Sequence, residues 1–173
     1  MAELQDTPNY VSSTERVLVR LEGSALHITF NNPAKHNALS VDMWGAQPPL
    51  LAQAANDERV RMVVFSGAGD KAFVSGADIS QFEDQRAARE AVAHYEQLAE
   101  SALMAIHHFK KPTLACIRGW CIGGGVGAAK HLVFTARRID AAEAHRLGLV
   151  SRVAPVEARR AFMEKRKPRF VGC

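Results

Sequence analysis

Two glycine-containing bends carry the chemistry this sequence could perform. Gly76-Ala77-Asp78 follows the short extended run Phe73-Val74-Ser75, and Gly123-Gly124-Gly125 follows the apolar strand expected over Thr113–Ile117 and a turn at Arg118-Gly119. A bend that leaves a short strand for a helix exposes main-chain N–H groups at a positive helix end. If the strands before the two bends are neighbours, the bends emerge at the same sheet edge. One N–H from each can then converge on a single oxygen that becomes anionic during a reaction. Such donors contribute roughly 3–4 kcal/mol each at a developing oxyanion. Main-chain donors call for small residues rather than particular side chains. Taken alone, the glycines serve equally well for tight strand–helix packing.

Side chains near these bends have ordinary structural uses. Asp78 suits a turn brace better than a proton-transfer role. Cys121 has no identifiable activating base beside it. Glu143 stands three residues after Asp140, the spacing of a capping box at a helix start. Glu83, Asp84 and His94 fit a solvated helix face. His107 and His108 adjoin and are expected to point apart, which disfavours joint metal ligation, and no CxxC pair or His/Cys cluster suggests a metal.

The elements that must position the bends follow from pattern. Val17–Leu21 and Ala25–Phe30 read as strands of a hairpin turning at Glu22-Gly23-Ser24. Asn31-Asn32-Pro33 ends the second strand, and a polar loop with one cation, Lys35, leads to Ser40. Ser40 is a good N-cap for a helix to about Asn56, which Pro48 and Pro49 should break or kink between Gly45 and Leu50. Val60–Ser66 reads as a strand buried on both faces. A long amphipathic helix is expected from about Asp84 to Phe109, stopped by Lys111-Pro112 before a strand over Thr113–Ile117. A helical segment from about Val126 to Phe134 follows the glycines. A helix from Asp140 should stop at Gly148. A small strand over Leu149–Val153 and a basic helix from Pro155 to about Lys167 complete the chain.

Composition bounds the class. The 173 residues are 47% hydrophobic and 23% charged, enough for a core and unlike a disordered chain. Net charge is +4, with Arg159, Arg160, Lys165, Arg166, Lys167 and Arg169 near the C-terminus. Such a tail suits a phosphorylated ligand, a membrane surface or nucleic acid. No aromatic-rich basic platform is visible, so RNA is a minor alternative. The 3 cysteines are an odd number, and one lies in an apolar strand, so a disulfide framework is not expected and the cytoplasm is the natural compartment. No apolar run approaches the ~20 residues that span a bilayer, and the N-terminus lacks the pattern of a secretory signal.

KAFVSGADI (Lys71–Ile79), IRGWCIGGGVG (Ile117–Gly127), ARRIDAAEAHRLGLVSRV (Ala136–Val153) and AFMEKRKPRF (Ala161–Phe170) resemble the enoyl-CoA hydratase/isomerase, or crotonase, family. NNPAKHNALS (Asn31–Ser40) resembles its coenzyme A loop. The blocks occur in family order over nearly the whole chain. The resemblance implies an α/β fold, a crotonase-like ββα spiral with a helical C-terminal region. It places the spiral core, coenzyme A loop and oxyanion hole in residues 1–135, and the helical and oligomerisation region in 136–173. It implies an acyl-CoA thioester substrate, no cofactor beyond the coenzyme A of that substrate, and a homotrimer or hexamer. The backbone oxyanion hole maps to Ala77 and Gly124. The substrate-contacting set maps to Lys35, His36 and Ala38 in the coenzyme A loop, to Gly76, Asp78 and Ile79 around the first bend, and to Phe162 and Lys165 in the C-terminal helix.

The sequence departs from the family at the base. Hydratases of this kind carry their first glutamate two residues after the glycine triplet, where Gly127 stands here without a side chain. The block carrying the second glutamate is absent, and Gly127-Ala128 runs almost directly into the helix expected beyond it. A second splice falls near Glu157-Ala158. Two readings stay open: a chain shortened in earnest, or pieces of a longer protein joined end to end. Deleting a spiral turn would uncover core surface against a total stability of only about 5–15 kcal/mol, which favours the second. Function divides accordingly between an acyl-CoA hydratase or isomerase, a crotonase-fold enzyme of other chemistry such as a hydrolase or decarboxylase, and a non-catalytic acyl-CoA-binding scaffold. Mass spectrometry of the intact protein tests the splice reading: a mass well above 18.9 kDa is expected from it, and a mass at that value overturns it.

Overall fold

The computed structural model describes residues 10–78, 80, 88–123, 140–146, 148 and 153. The chain divides into two compact units, residues 1–127 and 128–173. The first is built on a four-stranded sheet. Strand β1 (Val17–Glu22) turns back at Gly23-Ser24 into β2 (Ala25–Phe30) in antiparallel register, Val17 opposite Phe30 and Glu22 opposite Ala25. β3 (Met62–Gly67) lies parallel to β2, and β5 (Thr113–Cys116) lies parallel to β3. The sheet order is β1-β2-β3-β5. Parallel neighbours on both sides explain the unbroken apolar run of β3, whose Val63, Val64 and Phe65 are buried.

Helix α1 (Val41–Asn56) buries Met43, Trp44, Ala46, Leu50, Leu51 and Ala54. It runs unbroken through Pro48 and Pro49, so the break expected there does not occur. Each proline removes a hydrogen bond to the carbonyl four residues back. Burial of apolar residues on both sides of the pair offsets that loss, since deeply burying each large one contributes roughly 1.5–3 kcal/mol. The Ser40 hydroxyl bonds Asp42 rather than capping the helix. At the other end the ammonium of Lys111 donates to the carbonyl oxygens of Ala54 and Asp57, both at 2.7 Å. Arg59 clamps the Asp57 carboxylate at 2.9 and 2.7 Å, and Tyr10 donates to it at 3.0 Å. The Arg59 guanidinium holds the Asp57 carboxyl well below the usual carboxylate range.

Helix α2 (Ala88–His107) packs on α1, with the Tyr95 and Trp44 rings edge to face at 6.3 Å. The expected start of this helix lies outside the described residues. The rings of His107 and His108 meet edge to face at 5.1 Å, closer together than the expectation that they point apart allows, although the His108 N–H still bonds the Met104 carbonyl at 2.9 Å in helical fashion. Among the described residues no group of three or more His, Cys, Asp or Glu could hold a metal, and no helix is long and apolar enough to cross a membrane.

A second, two-stranded sheet carries the bends. β4 (Ala72–Val74) pairs in parallel with β6 (Trp120–Cys121), Ala72 opposite Trp120 and Val74 opposite Cys121. Gly119 makes this pairing possible. Its φ is +64°, and a Cβ there would lie 1.9 Å from the Lys71 carbonyl oxygen, the atom that accepts the Trp120 N–H at 3.0 Å.

In the second unit the described helix is α3 (Ala141–Arg146). Asp140 accepts the Glu143 N–H at 2.7 Å, and Gly148 follows at φ +72° with its N–H on the His145 carbonyl. The cap and stop read from sequence are both present. The segments expected as a helix over Val126–Phe134, a strand over Leu149–Val153 and a basic helix over Pro155–Lys167 lie outside the described residues, apart from Val153.

Gly119 and Gly23 separate conformation from space. Gly23 has φ +60° with nothing within 4 Å of an added Cβ. Gly23→Ala is expected to cost about 1–2 kcal/mol, the left-handed penalty alone. Gly119→Ala carries the same penalty plus the overlap, at least ~2 kcal/mol more. Urea denaturation of both variants checks the difference.

Candidate functional site

The loop over residues 31–40 is held by its own polar side chains. Pro33–Lys35 forms a single 3-10 turn, after which His36 and Asn37 stand at φ +51° and +56°. Two consecutive left-handed residues without glycine are costly unless something fixes them. Asn37 supplies the fixation. It is 1% exposed, and its amide donates to the carbonyl oxygens of Ala68 at 2.9 Å and Ala72 at 2.8 Å. Its oxygen accepts the Asn32 N–H at 3.0 Å. Asn32 in turn donates to the Ala38 carbonyl at 3.0 Å. Asn37 was not among the residues singled out from sequence. The signal was present: an asparagine is one of the few residues that tolerates this backbone conformation, and it sits in a polar loop.

From this anchored loop the chain meets the first bend. Leu39 and Ala77 form a parallel bridge, in which the Leu39 N–H donates to the Gly76 carbonyl at 2.8 Å and the Leu39 carbonyl accepts the Asp78 N–H at 2.9 Å. Peptide directions alternate along extended chain, so the N–H of Ala77 itself faces away from Leu39. Among the described residues it donates to nothing. Ser75 and Tyr95 reinforce the joint, their hydroxyls donating to the Lys35 carbonyl at 3.1 Å and the Leu39 carbonyl at 3.3 Å.

The second bend lies against the first. The Ile122 N–H donates to the Val74 carbonyl at 2.8 Å. A Cβ on Gly123 would come within 3.3 Å of the Gly76 Cα. The strands that lead into the two bends, β4 and β6, are thus parallel neighbours. The strand that brings the second bend there is β6. The expected strand Thr113–Ile117 is present as β5, but it pairs with β3.

Asp78 is 5% exposed and takes two of the three contacts of the Lys35 ammonium, which donates to its two oxygens at 3.0 and 2.9 Å and to the Ser80 hydroxyl oxygen at 2.6 Å. Ser80 also donates its hydroxyl to Asp78 at 2.7 Å. Burial pushes the Asp78 carboxyl up. The hydrogen bonds from Ser80 and Lys35 outweigh it, and the carboxyl lies below its ordinary range. A paired carboxylate of this kind is a turn brace, not a proton acceptor poised near neutrality. Cys121 is partly buried, and burial pushes its thiol up to about 11, which suits packing rather than nucleophilic attack. His94 is exposed on α2.

Of the residues carried over by resemblance, Lys35, His36, Ala38, Gly76, Ala77 and Asp78 come together around the loop and the first bend. The side chain of His36 is exposed and that of Ala38 is buried. Ile79, Gly124, Gly127, Phe162 and Lys165 lie outside the described residues, as do Glu83 and Asp84.

Comparison with known proteins gives the class. Residues 25–137 match the model of the enoyl-CoA hydratase/isomerase family, and the chain belongs to that family. It is 27% identical to the short-chain-enoyl-CoA hydratase of Clostridium acetobutylicum, over 79% of this chain and 68% of the hydratase. It is 32% identical to the mitochondrial 3-hydroxyisobutyryl-CoA hydrolase of Homo sapiens, over 70% of this chain and 32% of the hydrolase. The fold is crotonase-like. It superposes with a TM-score of 0.78 and 26% identity on an enoyl-CoA hydratase/carnithine racemase from Magnetospirillum magneticum, covering 89% of this chain and 73% of that one. The match to the Clostridium hydratase runs over 179 residues, more than the 173 of this chain, yet uses only 79% of it. The hydratase therefore carries residues that have no counterpart here, in keeping with the missing block.

Asn37→Asp tests the anchor. Aspartate tolerates the left-handed backbone equally well, but its carboxylate cannot donate to Ala68 and Ala72. Loss of two buried donors beside unchanged carbonyl acceptors is expected to lower stability by about 3 kcal/mol, read from the denaturation midpoint at neutral pH.

Proposed function

We propose that this protein binds acyl-CoA thioesters and stabilises the enolate of the thioester carbonyl with main-chain N–H groups of Ala77 and Gly124. The observation that carries this reading is the free-facing Ala77 amide, held beside Gly123 by two separate parallel pairings. A carbonyl oxygen placed there would gain charge as the α-carbon loses its proton. Donors fixed in advance stabilise that charge without reorganising. The coenzyme A moiety would follow the loop of Lys35, His36 and Ala38, with Gly76, Asp78 and Ile79 around the thioester and Phe162 and Lys165 toward the nucleotide end. The relatives named above support an acyl-CoA substrate, being a hydratase and a hydrolase of such thioesters by name. A homotrimer or hexamer, cytoplasmic and without a cofactor beyond the substrate's own coenzyme A, completes the reading.

Gly127 favours a second reading. At the position of the family's first glutamate it can neither hold water nor take a proton. The chain would then bind and polarise acyl-CoA without adding water, as an acyl-CoA-binding scaffold or in a reaction whose base stands elsewhere. Calorimetry with crotonyl-CoA, beside turnover measured across a panel of enoyl-CoA thioesters, separates the readings. Micromolar binding with turnover is expected of the enzyme, and micromolar binding without turnover of the scaffold. Absence of acyl-CoA binding overturns both. In an active protein, Ala77→Pro removes the amide and is expected to lower turnover by about 10²–10³-fold.

A further inference from the structure

The cation of the coenzyme A loop is committed within the protein. The ammonium of Lys35 has three hydrogens, and Asp78 Oδ1, Asp78 Oδ2 and Ser80 Oγ lie at 3.0, 2.9 and 2.6 Å from it. Asp78 is buried while the Lys35 side chain remains 47% exposed. The pair therefore adds a charged tie between two segments that also meet through the Leu39–Ala77 bridge and the Ser75 hydroxyl on the Lys35 carbonyl: the loop ending at Leu39 and the bend containing Ala77.

We propose that Asp78 is a positioning residue: through its ion pair with Lys35 it fixes the loop against the bend and so aims the Ala77 N–H at the thioester oxygen. The proposal rests on the acyl-CoA reading above and deepens it. Asp78 immediately follows Ala77, and its own N–H is already fixed by Leu39 at 2.9 Å. The Ala77 N–H belongs to the 76–77 peptide, whose Gly76 carbonyl accepts the Leu39 N–H at 2.8 Å, so backbone bonds to Leu39 hold both peptides flanking Ala77 on one side only. The carboxylate supplies a further, charged point of attachment directly after Ala77, tying the bend to the 3-10 turn at Pro33–Lys35. A donor that must meet a developing oxyanion within a few tenths of an ångström needs its segment held from both sides. Lys35 in this arrangement contributes its methylene stem and its hold on the loop, with its charge spent on Asp78.

The test uses the full chain and a conjugated probe, hexa-2,4-dienoyl-CoA, whose absorption moves to longer wavelength when its carbonyl accepts hydrogen bonds. At saturating probe, weakened affinity does not enter the signal. The wild-type protein is expected to shift the band on binding. Asp78→Asn and Lys35→Met are each expected to keep less than roughly half of that shift, because both release the same attachment. A direct effect of charge would move them in opposite directions. Removing the carboxylate leaves a cation that favours polarisation, and removing the ammonium leaves an anion that opposes it. Full wild-type shift in either variant, or shifts of opposite sign, overturns the positioning role and leaves the acyl-CoA reading standing. Calorimetric binding by the wild type without any shift overturns the oxyanion reading itself, and this proposal with it. Should Asp78→Asn fail to fold, Lys35→Met, altered at a half-exposed side chain, decides alone.

Discussion

The parallel pairing of β4 with β6 is the constraint on which the site depends. It places the bend after Val74 beside the bend after Ile122, and it does so with few hydrogen bonds: Trp120 N–H on the Lys71 carbonyl and Ile122 N–H on the Val74 carbonyl among them. So short a ladder has little stability of its own. Its position comes from what surrounds it. Phe73 packs edge to face on Phe30 of the main sheet at 5.7 Å, and Ala72, Phe73 and Val74 are all buried. Gly119 lets the chain cross close enough to Lys71 for pairing to begin. The core thus fixes β4, and β6 is fixed by β4.

The loop before α1 solves a different problem. It must remain at the surface, where a ligand could reach it, yet keep one shape. Apolar packing cannot do this at an exposed position. A buried asparagine can, because its amide donates to carbonyl oxygens of another segment. Asn37 ties the loop to Ala68 and Ala72, the second of which opens β4. The same strand that places the bends therefore also places the loop. A disturbance at β4 would reach both parts of the proposed site together.

Much of this was legible in the sequence, for identifiable reasons. The hairpin, the doubly buried β3 and the cap of α3 are local or strongly patterned, so residue types announce them. The convergence of the two glycine bends was legible only as a condition on the strands before them; the strand expected before the second bend pairs with β3, and it is β6 that pairs with β4. Three features were not legible. Helix α1 continues through Pro48 and Pro49 because burial at Trp44, Leu50 and Leu51 outweighs a local cost that sequence shows plainly. β6 spans only Trp120–Cys121, too short for a pattern, and exists because β4 is there to receive it. The role of Asn37 depends on carbonyl oxygens 31 and 35 residues away in the chain. Its conformational tolerance is readable from its type, but its partners are not.

A site built from main-chain donors separates two tasks that side-chain catalysis combines. In the proposed reading, polarisation of the thioester needs only the bends, whereas the direction of proton transfer needs a base placed over the α or β carbon. The first task is set by the pairing of strands and the side chains that brace the bend, none of which has to meet the reacting carbons. The second is open to change at single positions. A scaffold of this kind can therefore pass from hydration to hydrolysis or isomerisation while keeping its first half intact, and the family contains hydratases and hydrolases alike. Gly127 falls in the second half. Its lack of a side chain bears on which reaction follows polarisation. In the proposed reading polarisation rests instead on the described pairings of Ala77 with Leu39 and of β4 with β6.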